Sequence, residues 1–158
     1  MRLEGVAKAG FYPTPPQTLE LLTRLLETSP LAPALAGQKA LDPCAGEGEA
    51  IVHVARRLGM QAVGIELERY RAVRAKERGV RTFVGDARDY QAQNFPLLWL
   101  NPPYDYGDDG VRLEAVFVEA FWQAVAPGGV LVLLIPEGSL KRVWGYLDRS
   151  YEIALVAR

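Results

Sequence analysis

Short apolar runs alternate with amphipathic segments along most of this chain. Leucines spaced three and four residues apart predict a first helix over 17–28. Apolar runs predict strands near 39–42, 61–66, 81–86, 95–100, 130–136 and 151–158. Further helices are predicted over 48–58, after the second strand, and over 112–126 and 140–148. This alternation is typical of a doubly wound, mostly parallel α/β sheet with helices on both faces.

Polar side chains stand at the carboxyl ends of four successive predicted strands. They are Asp42, Glu66, Asp86 and Asn101. Right-handed crossovers bring the first and fourth strands of such a sheet side by side, and ligands bind where their carboxyl ends meet. We therefore expect these four side chains to face one crevice.

The turn after the first strand reads Asp42-Pro43-Cys44-Ala45-Gly46-Glu47-Gly48-Glu49. Its glycines permit close backbone approach, but it lacks the G-x-G-x-x-G pattern and the phosphate-binding lysine. Its acidic residues would repel a pyrophosphate and suit a ligand with cationic groups. Glu66 has the spacing of an acid that accepts ribose hydroxyls, and Asp86, followed by Ala87, suits an adenine amine. Together they predict S-adenosylmethionine; the alternative is that these carboxylates cap helices.

The sequence Asn101-Pro102-Pro103-Tyr104 follows the fourth strand directly. Two prolines make the turn rigid and remove backbone donors, the asparagine amide both donates and accepts, and the tyrosine offers a flat surface. This combination suits a planar group that carries an NH2. The alternative is an ordinary proline-rich turn.

Composition narrows the classes of protein. The 158 residues fit one domain, 1–158, and the net charge of −1 argues against a dedicated nucleic-acid-binding domain. A single cysteine, Cys44, excludes an internal disulfide and argues against a structural zinc site, so no metal is expected. No apolar run reaches membrane-span length and no signal peptide is evident, which predicts a cytoplasmic protein without membrane contact.

Four segments, in order, resemble class I S-adenosylmethionine-dependent methyltransferases and, more narrowly, the N6-adenine nucleic-acid methyltransferases. They are Phe11 to Pro16, Asp42 to Gly48, Glu66, and Gly85-Asp86-Ala87 leading to Asn101-Pro102-Pro103-Tyr104. The resemblance implies a Rossmann-like methyltransferase sheet with strand order 3-2-1-4-5 plus a sixth strand. It also implies methyl transfer to adenine N6, with DNA favoured over RNA as the partner.

Carried over to this sequence, the resemblance gives each matching residue a role. Asn101 and the Pro102 carbonyl would accept hydrogen bonds from the two N–H groups of the target amine, and Tyr104 would stack on the base. The implied cofactor-binding set is Tyr12, Thr14, Asp42, Cys44, Gly46, Gly48, Glu66, Asp86, Ala87 and Asn101. In this set Tyr12 and Thr14 would cover the methionine end of the cofactor.

The chain departs from the family pattern in two ways. We expect no part of the 158 residues to serve as a target-recognition domain or as the final antiparallel strand that follows the sixth strand in this family. We therefore expect a truncated chain or a domain that borrows recognition from a separate subunit or domain. Three functions stay open: adenine methylation in DNA, methylation of an RNA base or a protein glutamine amide, and a non-catalytic cofactor-binding subunit.

Overall fold

A five-stranded parallel sheet forms the centre of the protein, seen in a computed structural model that describes residues 12–148 and 150–152. The strands are β1 Lys39–Asp42, β2 Gln61–Glu66, β3 Arg81–Val84, β4 Phe95–Leu100 and β5 Val125–Leu133. The helices are α1 Pro16–Thr28, α2 Ala32–Leu35, α3 Glu49–Leu58, α4 Arg69–Glu77, α5 Leu113–Phe121 and α6 Leu140–Leu147. The strand order is β3-β2-β1-β4-β5, which confirms the predicted doubly wound Rossmann-like sheet.

Each face of the sheet has its own hydrophobic core. Alternate residues of a strand point to opposite faces, so neighbours in β1 and β4 enter different cores. One core joins Ala40, Leu97 and Trp99 to apolar side chains of α1 and α3. The other joins Leu41, Leu98 and Leu100 to apolar side chains of α5 and α6. The central strands are buried on both faces, which explains why β4 reads as a continuous apolar run.

The predicted boundaries between α5 and β5 are wrong. The helix was expected over 112–126 and the strand over 130–136, but α5 ends at Phe121 and β5 already begins at Val125. Phe95 pairs with Val125 and Leu97 with Val130, so the extra residues form an irregularity in the ladder. A Cβ on Gly129 would lie 2.8 Å from the Pro96 carbonyl oxygen. The glycines after Pro127 therefore allow the distorted strand to lie against β4 instead of ending a helix.

The end of the chain is described only as far as residue 152. Residues 153–158 of the predicted sixth strand lie outside the described residues. The Tyr151 hydroxyl donates a hydrogen bond to the Trp122 carbonyl, which ties residues after α6 to the end of α5. Among the described residues, no helix combines the length and apolarity that a membrane span requires.

Candidate active site

The turn between β1 and α3 is held closed by internal hydrogen bonds. Asp42, only 3% exposed, accepts a bond of 2.8 Å from the Cys44 amide. Gly48 has φ +82°, and a Cβ there would lie 2.7 Å from Val80 Cγ2. Gly48 therefore allows the turn to pack closely against Val80, just before β3, and only glycine fits at this position. Gly48 does not line the cavity, so its role is in packing.

Glu66 is the hub of the first turn. Its Oε2 accepts a hydrogen bond of 2.8 Å from the Gly46 amide, and its Oε1 accepts one of 2.8 Å from the Glu68 amide. The Arg71 guanidinium also donates to Oε1, with an Nη2–Oε1 distance of 2.8 Å. Glu66 is 5% exposed, so these donors fix its carboxylate before any ligand arrives. The sequence analysis did not single out Arg71, and it missed this ion pair.

Burial perturbs the two titratable groups beneath the cavity. Burial raises the pKa of the Asp42 carboxyl to about 7; the hydrogen bond from Cys44 opposes this rise, and the Glu66 carboxylate adds to it. Burial also raises the pKa of the Cys44 thiol well above its usual value, and the nearby carboxylates add to that rise. Cys44 is therefore a neutral thiol at neutral pH and a poor nucleophile.

Asp86 lies where β3 ends and begins the short 3-10 turn Ala87–Asp89. Its Oδ1 accepts a hydrogen bond of 3.0 Å from the Arg88 amide, and its Oδ2 lies 2.5 Å from Arg88 Nη2. The hydrogen bond from the Arg88 side chain holds the pKa of Asp86 below its usual value. Ala87 is buried, whereas the Arg88 side chain is half exposed. Asp86 is thus an ionised acceptor at the margin of the cavity.

Asn101, at the end of β4, connects three parts of the chain. Its Nδ2 donates to the Tyr12 carbonyl oxygen at 2.9 Å and to Thr14 Oγ1 at 3.2 Å. The Tyr104 hydroxyl donates to Asn101 Oδ1 at 2.5 Å and lies 3.3 Å from the Leu134 carbonyl oxygen. Burial raises the pKa of Tyr104 to about 12, so its hydroxyl stays a donor. These bonds assign the orientation of the Asn101 amide.

The Tyr12 and Tyr104 rings stack beside this asparagine. Their centroids are 5.4 Å apart and their planes differ by 21°. Pro102, directly after Asn101, is buried, so the start of the turn is fixed to the sheet. Residues 12–14 therefore lie against the turn after β4, as the sequence order alone could not establish.

Glu114, which the sequence gave no reason to select, stabilises the loop beyond that turn. The side chain is completely buried and accepts a hydrogen bond of 2.6 Å from Ser139 Oγ. Arg112 donates to the same oxygen, Oε1, while Oε2 has no partner among the described residues. Glu114 thus joins the start of α5 to the turn after β5.

A cavity of about 400 Å³ opens at the carboxyl ends of β1 to β4. Six of the predicted residues are on its wall: Tyr12, Cys44, Glu66, Asp86, Ala87 and Asn101. Thr14, Asp42, Gly46, Gly48, Pro102 and Tyr104 are not among the lining residues and support the wall from behind or beside it. Within 12–148 and 150–152, no group of three or more His, Cys, Asp or Glu side chains could hold a metal ion.

Solved structures share this fold. A SAM-dependent methyltransferase from Thiobacillus denitrificans, in complex with S-adenosyl-L-homocysteine, superposes with a TM-score of 0.58 at 23% identity over 84% of this chain and 54% of that one. A putative RNA methyltransferase, PH1948 from Pyrococcus horikoshii, gives 0.65 at 17% identity over 85% and 70%. An RNA methyltransferase from Salinibacter ruber, in complex with S-adenosyl-L-homocysteine, gives 0.56 at 19% over 77% and 76%.

The chain thus spans about half the length of the Thiobacillus protein. No curated protein matches the chain significantly in sequence. A family model does match, over residues 1–143, and its description is an uncharacterised methyltransferase family, DUF6094. Because the match covers most of the sequence, the chain belongs to this methyltransferase family.

Proposed function

We propose that this chain transfers a methyl group from S-adenosylmethionine to an exocyclic amine, adenine N6 in DNA. The observation that carries the proposal is the fixed amide of Asn101. Because Nδ2 is engaged by Tyr12 and Thr14, the acceptor Oδ1 is turned to the Tyr104 hydroxyl. An incoming amine N–H can replace that hydroxyl as the donor.

The cavity has the properties that the cofactor needs. Its volume lies in the range of small-molecule sites, roughly 300–1,000 Å³. Glu66 Oε2 accepts one backbone bond from Gly46, and a carboxylate oxygen has capacity for a second donor such as a ribose hydroxyl. Asp86 can accept an adenine amine once the exposed Arg88 side chain swings away. Two of the structural relatives are in complex with S-adenosyl-L-homocysteine, which supports S-adenosylmethionine as the cofactor.

S-adenosylmethionine bound in this cavity would supply a methyl group attached to a positively charged sulfur. The contribution of the chain is then to hold the acceptor amine in line with that methyl group. Asn101 Oδ1 and the Pro102 carbonyl would each accept a hydrogen bond from one N–H of the amine, which favours the nitrogen geometry needed for attack. Tyr104 would stack on the base that carries the amine.

Target recognition is proposed to come from a separate subunit or domain. The two arginines that line the cavity are paired with carboxylates, Arg71 with Glu66 and Arg88 with Asp86. Two arginines outside the cavity wall are paired as well, Arg78 with Glu47 and Arg112 with Glu114. Paired arginines contribute less to phosphate binding, which depends on uncompensated positive charge. A partner with uncompensated positive charge would bind the DNA phosphates that this chain does not bind.

An RNA base is the second candidate acceptor. It is supported by the two structural relatives described as RNA methyltransferases, from Pyrococcus horikoshii and Salinibacter ruber. Their resemblance to this chain is one of fold, so the choice between DNA and RNA rests on the assay.

Methyl transfer from tritiated S-adenosylmethionine to DNA, RNA and protein tests the proposal. The labelled nucleic acid is digested to nucleosides, and N6-methyldeoxyadenosine is the expected product. Asn101→Ala should lower the rate at saturating cofactor by about 100-fold or more, as loss of a transition-state hydrogen-bonding group does. Gln123→Ala, an exposed amide outside the cavity, is the matched control. Full activity of Asn101→Ala, or label found only in protein, would contradict the proposal.

A further inference from the structure

The two stacked tyrosines at the cavity are fixed by different parts of the chain. Tyr12 belongs to the segment before α1, lines the cavity and is 39% exposed. Tyr104 belongs to the turn after β4 and is half-buried. Nearly parallel rings with centroids 5.4 Å apart form a sandwich whose components are 92 residues apart in sequence order, 12 against 104. Such a pair can open without disturbing either core.

The hydrogen bonds around Asn101 indicate what would separate the two tyrosine rings. Tyr12 is held through its backbone carbonyl, which accepts from Asn101 Nδ2, so its ring is not committed by that bond. Tyr104 is held through its hydroxyl, which occupies Asn101 Oδ1. An amine that takes Oδ1 therefore removes a bond that keeps the Tyr104 ring beside Tyr12. The Tyr104 hydroxyl then keeps only the Leu134 carbonyl oxygen, 3.3 Å away, as an acceptor, so arrival of the acceptor amine loosens the Tyr104 ring.

We propose that Tyr12 forms the second wall of an aromatic slot, with the acceptor base inserted between Tyr12 and Tyr104. The inference rests on the proposed function and adds a second stacking surface for the planar ring that carries the acceptor amine. Stacked bases are separated by about 3.4 Å, so a base between two rings needs ring planes roughly 7 Å apart. The tyrosine rings, whose centroids are now 5.4 Å apart, must separate to admit it. Each new base–tyrosine contact replaces part of the tyrosine–tyrosine contact that is lost.

This slot discriminates between acceptor classes. A purine presents two π faces and gains from both rings, whereas the side-chain amide of a protein glutamine is narrow and gains little from a second ring. The earlier expectation placed Tyr12 over the methionine end of the cofactor. Its stack with Tyr104 supports a further role for the Tyr12 ring on the side of the acceptor amine.

The test compares Tyr12→Leu, which keeps an apolar side chain, with Tyr12→Phe, which keeps the ring. Binding is measured by fluorescence anisotropy to a short adenine-containing single-stranded DNA and to the same strand with abasic sites at the adenines, both with saturating S-adenosylhomocysteine. Tyr12→Leu should bind the adenine strand about tenfold more weakly, as loss of one stacking contact predicts, and Tyr12→Phe should bind it normally. The abasic strand should not distinguish the variants.

Two controls separate the slot from other roles. Tyr70→Leu removes an exposed tyrosine on α4 that does not line the cavity, and it should bind both strands normally. Tyr12 also lines the cavity, so Tyr12→Leu should change the calorimetric affinity for S-adenosylhomocysteine much less than it changes the affinity for the adenine strand. If Tyr12→Leu weakens S-adenosylhomocysteine and leaves adenine binding intact, Tyr12 belongs to the cofactor site and the slot is refuted.

Failure of the proposed function gives a different result. If the wild type methylates nucleic acid while Tyr12→Leu retains full activity and adenine-strand affinity, only the slot is wrong. If the wild type binds S-adenosylhomocysteine but methylates protein and no nucleic acid, the proposed acceptor is wrong and the slot falls with it. A rise in KM for DNA in Tyr12→Leu, with kcat nearly unchanged and rescue by Tyr12→Phe, supports the slot.

Discussion

The buried carboxyl of Asp42 makes the stability of this protein depend on pH in an unusual direction. Its pKa is raised from 3.8 to about 7 in the folded state, about three units. A group with a raised folded pKa stabilises the fold fully below its unfolded pKa and loses that contribution as pH rises through the folded value. At about 1.36 kcal/mol per unit, the loss between pH 4 and pH 7 is about 4 kcal/mol.

Asp42→Asn removes this titration while keeping an oxygen that can accept the hydrogen bond from the Cys44 amide. Urea unfolding is measured for both proteins from pH 4 to pH 8. The free energy of unfolding of the wild type, relative to the variant, should fall by about 4 kcal/mol across this range. Asp108→Asn, an exposed acid in the loop before α5, controls for the change in net charge. A constant offset between wild type and Asp42→Asn at every pH would refute the reasoning.

Two further substitutions test the packing of the site. Gly48→Ala should cost roughly 2–4 kcal/mol of unfolding free energy in thermal melts, because a Cβ there would lie 2.7 Å from Val80 and φ is +82°. Gly110→Ala, with φ +77° and no atom within 4 Å, should cost only about 1 kcal/mol, and equal costs would contradict the steric argument. Glu114→Ala should lower the free energy of unfolding by about 3 kcal/mol because Arg112 loses its partner, and Glu114→Gln should lower it less. An unchanged free energy of unfolding in Glu114→Ala would contradict this.

The general fold could be predicted because the strands are short, apolar and separated by amphipathic helices. β4 is buried on both faces, so its sequence needs no polar alternation, and its continuous apolar run identifies it directly. The start of β5 could not be predicted in the same way. Pro127-Gly128-Gly129 has the composition of a helix end, and only pairing with β4 shows that it lies inside a distorted strand.

The candidate site shows the same division. Carboxylates at strand ends are visible in the sequence because position along a strand determines where each one lies. Contacts between distant segments cannot be seen in the sequence, because they depend on side-chain direction and on the rotation of each helix about its axis. Arg71 is one cation among several on α4, yet its place in the first turn of that helix directs it toward Glu66 at the end of β2. The Tyr12–Tyr104 stack likewise joins segments that no periodicity relates.

The raised pKa of Asp42 also links the fold to the proposed cofactor. Cys44, whose amide donates to Asp42, lines the cavity, so a sulfonium or ammonium bound there would favour the ionised carboxylate. Binding of S-adenosylmethionine at pH 6 should therefore release up to about one proton, and its affinity should rise from pH 5 to pH 7.

Calorimetry in buffers with different ionisation enthalpies counts that proton. Asp42→Asn should abolish the release, and S-adenosylhomocysteine, which lacks the sulfonium charge, should release less than S-adenosylmethionine in the wild type. If release persists unchanged in Asp42→Asn, the proton comes from another group and Asp42 does not sense the ligand charge. The pH dependence of stability would then still reflect the carboxyl of Asp42, which the turn beside the cavity holds in place. The pH dependence of binding would reflect the other group.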